Sequence, residues 1–201
     1  MELGFHTFPS GKKYAYAVMN GHHVFLRNII FLTRGDDIVL VREWGAKSNK
    51  HVWEPPKGQM EWGEFASAGI RPGSKQSQSV MLQCMKKALI REMVEEAKVL
   101  PSETGYIRSL PIQYTQAWPE SNVPNAHFLY QFWTAELPSL KPAQTRMKTL
   151  VRNPDWKGIL PSDVTEKDAV DWWTPADGWD VIRTGFSKKM MRMYFEFLSA
   201  R

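Results

Sequence analysis

The chain has 201 residues, 26 Lys+Arg against 21 Asp+Glu, a formal charge of +5, and 43% hydrophobic with 23% charged residues, which excludes a disordered or fibrous chain. At this length about 68–75% of the unfolded surface is buried, so one core needs no staples, and a lone Cys84 closes no intrachain disulfide. The expectation is a single domain over residues 1–201 in a reducing compartment, cytoplasmic or nuclear, with neither signal peptide nor membrane span, because no basic-then-apolar N-terminus and no run of about 18 apolar residues occurs.

In chain order, His23 to Leu32 (HVFLRNIIFL) reads as a strand, Thr33 to Asp37 as a turn and Ile38 to Val41 as its hairpin partner. A loop follows to about Pro56. Residues 65–83 read as a loop insertion, its stretch from Gly69 to Ser79 as a flexible surface segment, and Ser77 or Ser79 caps a helix that runs to about Val99, where Pro101 argues for termination. Strands are expected from Ile107 to Tyr114 and from His127 to Ala135. Residues 137–160 are basic and Pro-punctuated, and their length marks a functional or ordered-on-binding loop rather than a tight turn. A short strand at Val170 to Trp173 precedes Pro175, a first-turn residue of a helix, and an amphipathic helix from about Ser187 to Leu198 closes the chain. Of the nine tryptophans, Trp133 and Trp172 sit in apolar runs and are assigned to the core, whereas polar or turn residues surround Trp44, Trp62 and Trp118, the candidate ligand contacts.

The chemistry concentrates at Arg91-Glu92-Met93-Val94-Glu95-Glu96. On a helix, Glu92, Glu95 and Glu96 stand at i, i+3 and i+4, so three carboxylates gather on one side and repel by roughly 0.2–0.5 kcal/mol per pair. Convergent carboxylate oxygens suit a hard divalent cation such as Mg²⁺. A solvated acidic face is the plainer alternative, but apolar residues on two sides of this helix place the acids at the margin of a core. Upstream, Trp53-Glu54-Pro55-Pro56-Lys57-Gly58 combines rigid prolines, a glycine that lets backbone approach a ligand, and a lysine for phosphate.

Together these residues resemble the Nudix hydrolase superfamily, whose signature is G-x5-E-x7-R-E-U-x-E-E-x-G-U with U a bulky aliphatic residue. Gly58 and Glu64 match G-x5-E, Arg91-Glu92-Met93 matches R-E-U, Glu95-Glu96 matches E-E and Val99 matches the last U. W-E-P-P-K-G is similar to the entry sequence of members acting on dinucleoside polyphosphates and capped RNA. The likeness spans about residues 20 to 198. It departs in two places: 26 residues separate Glu64 from Arg91 where the pattern has seven, and Lys98 stands where the signature has glycine.

The resemblance implies an α+β Nudix fold, a mixed β-sheet sandwiched between α-helices, with Mg²⁺ (or Mn²⁺) held by Glu92, Glu95, Glu96 and the Gly58 carbonyl. Either Glu92 or Glu96 receives the water proton, Arg91 orients the carboxylates, with Glu64 as one candidate partner, and Lys57 contacts phosphate. Glu120, Glu136, Asp168 and Asp171 are candidates for a further acid. The expected function is a pyrophosphohydrolase acting on a phosphate-rich small molecule, of dinucleoside polyphosphate or diphosphoinositol polyphosphate type. RNA decapping, with residues 141–157 and the inserted loop together as a basic path for RNA, is the alternative within the same chemistry. A non-catalytic nucleotide-binding module is the alternative of another class.

Overall fold

The computed structural model describes residues 1–48, 50–119, 122–153 and 162–200. Within them the chain runs through strands β1 (Glu2–Thr7), β2 (Lys13–Met19), β3 (His22–Arg34), β4 (Asp37–Glu43), β5 (Trp53–Glu54) and β6 (Lys57–Gln59), then helices α1 (Trp62–Ala66) and α2 (Gln78–Ala97). Strands β7 (Arg108–Ala117) and β8 (Ala126–Glu136), helix α3 (Lys141–Arg152), strand β9 (Lys167–Trp173) and helix α4 (Gly185–Ser199) follow, with short 3-10 turns between. These residues form two compact units, one of Met1–Ile29, Lys57–Ile90 and Ser109–Phe132, the other of Ile30–Pro56, Arg91–Arg108 and Trp133–Arg201.

In the first unit, β1, β2 and the start of β3 form an antiparallel meander, with Leu3 opposite Ala17 and Phe5 opposite Ala15. No strand before His23 is legible in the sequence. Ala15 and Ala17, both fully buried, explain why: a strand whose inward positions are alanine carries little β signal. Lys57-Gly58-Gln59 pairs with Ile29-Asn28-Arg27, and the fully buried Asn28 donates from Nδ2 to the Met85 carbonyl of α2 at 3.0 Å.

The insertion is corrected here from flexible loop to ordered structure. Residues Trp62–Ala66 are helical with Trp62 and Phe65 buried, Ile70 is buried and its N–H reaches the Phe65 carbonyl at 3.1 Å. Farther on, Gly73, Ser74 and Gln76 hydrogen-bond to the backbone of Leu3 and Met1. The extra residues thus cover the open edge of β1, satisfying groups that an edge strand otherwise leaves exposed, and α2 begins at Gln78.

In the second unit, β4 lies between β9 and β5: Val41 faces Val170 on one side and Glu54 on the other, and Glu43 faces Lys167 beyond a bulge. The paired strands of these ladders are antiparallel. Strand β8 differs, because within the second unit Thr134 Oγ1 donates to the Phe31 carbonyl and Leu137 N–H to the Thr33 carbonyl, so partner numbers rise together and β8 runs parallel to β3. The α+β expectation with a mixed sheet is met. Thr184 caps α4 by accepting from Ser187 N–H, and Tyr194 of that helix stacks on Phe31 at 3.9 Å between centroids.

Two further expectations are corrected. The basic segment 137–160 contains a helix over Lys141–Arg152, because Pro142 stands in the first turn, where a missing N–H does no harm, and Ala143, Met147 and Leu150 form one buried stripe. Its remainder, 154–160, lies outside the described residues. Pro175 opens only a single 3-10 turn to Asp177.

Trp133 is buried as expected, but at the end of β9 the alternation buries Trp173 and leaves Trp172 partly exposed, under the Arg34 guanidinium at 4.6 Å. The Trp173 ring instead meets Trp179 at 5.1 Å and donates its N–H to the Gly178 carbonyl. Trp173→Ala is therefore expected to destabilise by about 3–5 kcal/mol, the range for truncating a buried large aromatic, and Trp172→Ala by much less. Urea unfolding of both variants checks this, and equal losses would contradict the assigned strand face.

Candidate active site

The last turns of α2 carry the acids. Helical spacing delivers Glu92, Glu95 and Glu96 to one side, as the sequence implies, and Arg91 lies among them: its Nη1 is 2.9 Å from Glu92 Oε1 and 2.9 Å from Glu95 Oε2. Two of the contacts of Arg91 are thus made within its own helix.

Glu92 is largely buried, and burial first of all pushes its carboxyl up to about 8. Arg91 opposes the shift, while the Glu96, Glu95 and Glu166 carboxylates add to it. Desolvation thus outweighs an ion pair at 2.9 Å, and the same guanidinium is shared with Glu95.

Glu96 lies deeper. Its Oε1 is 3.2 Å from Lys167 Nζ, and the same ammonium is 2.7 Å from Glu54 Oε1. All three side chains are almost fully buried, Lys167 and Glu54 each with 2% of their surface exposed. The β4 ladder explains the meeting, since Glu54 faces Val41 and Lys167 faces Glu43, positions two apart whose side chains share one face. Arg183 Nη1 reaches Glu54 Oε1 at 3.1 Å and its Nη2 reaches Glu43 Oε1 at 3.1 Å. Burial pulls the Lys167 ammonium down, but the Glu96 and Glu54 carboxylates outweigh it and hold the group above the ordinary lysine range.

Lys98, at the signature's glycine position, adopts φ 56°, the left-handed conformation a helix end asks of that residue. The conformation costs a lysine roughly 1–2 kcal/mol. Its ammonium offsets this by donating to the Glu95 carbonyl in the last turn of α2 and to the Val164 carbonyl at 2.6 Å. Burial, opposed by Glu95 and Glu96, pulls the Lys98 amine down to about 8. Arg146 of α3 completes the helix end through the Lys98 carbonyl, at 2.7 Å from Nε, and an ion pair with Glu103.

The other predicted residues fall as follows. Lys57 and Gly58 are in β6 of the first unit, Gly58 buried opposite Asn28. Trp118, also in the first unit, packs on Phe8 and Phe128, stacked at 5.3 and 4.3 Å, and edge-on to Phe25. Trp62 is buried against Phe5 and Phe65 rather than offered to a ligand.

Of the candidate further acids, Asp168 accepts from Arg42 Nε at 2.8 Å and from Gly45 N–H, a brace between strand and turn, and Asp171 accepts from Gln144 and Trp172 N–H. Glu136 is exposed at the end of β8, and Glu120 lies outside the described residues. Lys167, Arg183 and Glu166 carry no motif in the local sequence that marks them for this site, and the W-E-P-P-K-G stretch gives Glu54 no role of its own. Strand alternation beside β4 is the signal that could have found Lys167 and Glu54.

The donor chemistry of this turn fits a hard divalent cation: carboxylate oxygens only, with a buried carboxyl that neighbouring acids strain toward protonation. In the arrangement described, Arg91 and Lys167 take those oxygens. Among the described residues no three His, Cys, Asp or Glu side chains converge as a ligand set. Binding therefore requires Arg91 to give up its contacts with Glu92 and Glu95, while the Lys167 contact falls on Glu96 Oε1.

No protein-family model and no curated protein matches the sequence. Solved structures similar to it include a Caenorhabditis elegans Ap4A hydrolase in a binary complex, at 16% identity and TM-score 0.45, covering 89% of this chain and 98% of that one. A MutT Nudix hydrolase from Burkholderia pseudomallei has 13% identity and TM-score 0.45 over 82% and 93% of the two chains. A Bacillus subtilis pyrophosphohydrolase has 10% identity and TM-score 0.46 over 96% of each. With likeness of this degree, the functional reading rests on the residues of the site.

Because the folded Glu92 carboxyl titrates near 8, above the ordinary 4.5, its contribution to stability is complete below about pH 4.5 and is lost as pH rises through 8. In metal-free buffer, Glu92→Gln should narrow the fall in Tm between about pH 5 and pH 8. Thermal melts at both values check this, and a fall as large as in the parent protein would refute the buried charge.

Proposed function

We propose that the chain is a Nudix-type, divalent-metal-dependent pyrophosphohydrolase that cleaves a phosphoric anhydride in a nucleoside-diphosphate-linked or polyphosphate small molecule. The observation that carries this reading is the buried turn in which Glu92, Glu95 and Glu96 meet Arg91 and Lys167. A solvated acidic face has no reason to desolvate Glu92 and Glu96.

Mg²⁺ or Mn²⁺, held by Glu92, Glu95 and Glu96, would supply neutralisation of the phosphate oxygens and a more acidic water. The residues of the chain do the rest. Arg91 keeps Glu92 and Glu95 at a fixed separation through two contacts from one nitrogen. Glu92 and Glu96 are the candidates to take the water proton, and Glu96 is tied to Lys167. Lys98 and Arg146 hold the helix end that aims all three acids.

Dinucleoside polyphosphates and diphosphoinositol polyphosphates are the substrate classes proposed, on the resemblance of the W-E-P-P-K-G stretch. Capped RNA has less support, since Arg146, within the segment expected to carry RNA, is engaged by the Lys98 carbonyl and Glu103.

The test is a substrate panel with Mg²⁺, read by phosphate-product analysis. Glu96→Gln, nearly the same shape without the charge, should lose at least about 100-fold in rate, roughly 2.7 kcal/mol of transition-state stabilisation, while keeping its thermal unfolding transition. Equal turnover would remove Glu96 from the mechanism. Nucleotide binding without turnover by the parent protein would favour the binding-module alternative.

A further inference from the structure

The carboxylate pair of Glu54 and Glu96 is held by a cation that belongs to the chain. Lys167 Nζ stands between them at 2.7 and 3.2 Å, from a side chain only 3% exposed. Glu54 is further engaged by Arg183 at 3.1 Å and by the Ser187 hydroxyl at 3.5 Å, so this carboxylate is anchored from three directions. A buried ion pair is weak evidence for stability, because desolvating both charges offsets most of their attraction. What it does supply is position: the ammonium joins β9, β5 and the end of α2 at one point.

That point offers two carboxylates as a divalent-ion site does, but the positive charge there is part of the chain: Lys167 lies between the two, and Arg183 reaches Glu54 from outside the pair. Two hard oxygen donors facing one another would otherwise attract a cation of their own. We propose that Lys167 is a positioning residue that occupies the Glu54–Glu96 carboxylate pair in place of a divalent ion, and so limits the number of ions the acidic turn accepts. The proposal rests on the reading of Glu92, Glu95 and Glu96 as metal-holding residues given above.

Mn²⁺ binding to the full chain, counted from the electron paramagnetic resonance signal of the free ion, tests it. Lys167→Met, similar in length and uncharged, should bind one more Mn²⁺ per chain than the parent. Lys167→Arg, which keeps the charge, should match the parent. A purely structural lysine would leave the count unchanged, and equal counts in the parent and the Met variant overturn the proposal. Should Lys167→Met be unfolded as purified, millimolar Mn²⁺ is expected to restore its far-ultraviolet circular dichroism by replacing the lost cation; failure to restore it also overturns the proposal. These readouts do not involve turnover. A parent protein that hydrolyses no anhydride would defeat the enzymatic reading and leave the count to decide the role of Lys167.

Discussion

A charged group taken out of water must be compensated where it stands, and the second unit is arranged around one such group. Lys167 is an ammonium with almost no exposed surface, and its two carboxylate partners come from different elements, one from a two-residue strand and one from the end of a long helix. Removing either partner would leave the buried ammonium with one carboxylate fewer to compensate it. The pairing of β5, β4 and β9 and the seating of the α2 C-terminus are therefore mutually dependent.

The same low-dielectric setting accounts for the chemistry. Glu92 stands one helical turn before Glu96, and its carboxyl rises because burial and three neighbouring acids together exceed what a shared Arg91 returns. A carboxyl near 8 and a lysine bound to two carboxylates are opposite responses to one environment: the acid has too few cations and the amine has more than one anion. Lys98 belongs to the same economy of groups, using its own ammonium to close the helix on which the acids are mounted.

Much of this was legible from the residues. The hairpin of β3 and β4, the extent of α2, the terminal helix and the clustering of Glu92, Glu95 and Glu96 follow from periodicities of 2 and 3.6, which need only local sequence. What was misread has local reasons too. Alanines in β2 hide a strand, charges in α3 obscure the stripe of Ala143, Met147 and Leu150, and a Ser- and Gly-rich insertion proves ordered because β1 offers it an unpaired edge. In W-W at the end of β9, adjacent apolar residues cannot both face inward, and composition does not say which one does.

By itself the sequence determined the helix that carries three carboxylates, since i, i+3 and i+4 share a face whatever surrounds them. Only the tertiary structure decided what those carboxylates meet. Lys167 is 71 residues beyond Glu96, and Glu54 is 42 residues before it. No local periodicity relates them: they are neighbours because hydrogen-bonded ladders on both sides of β4 turn their side chains to one face, where burial makes pairing obligatory.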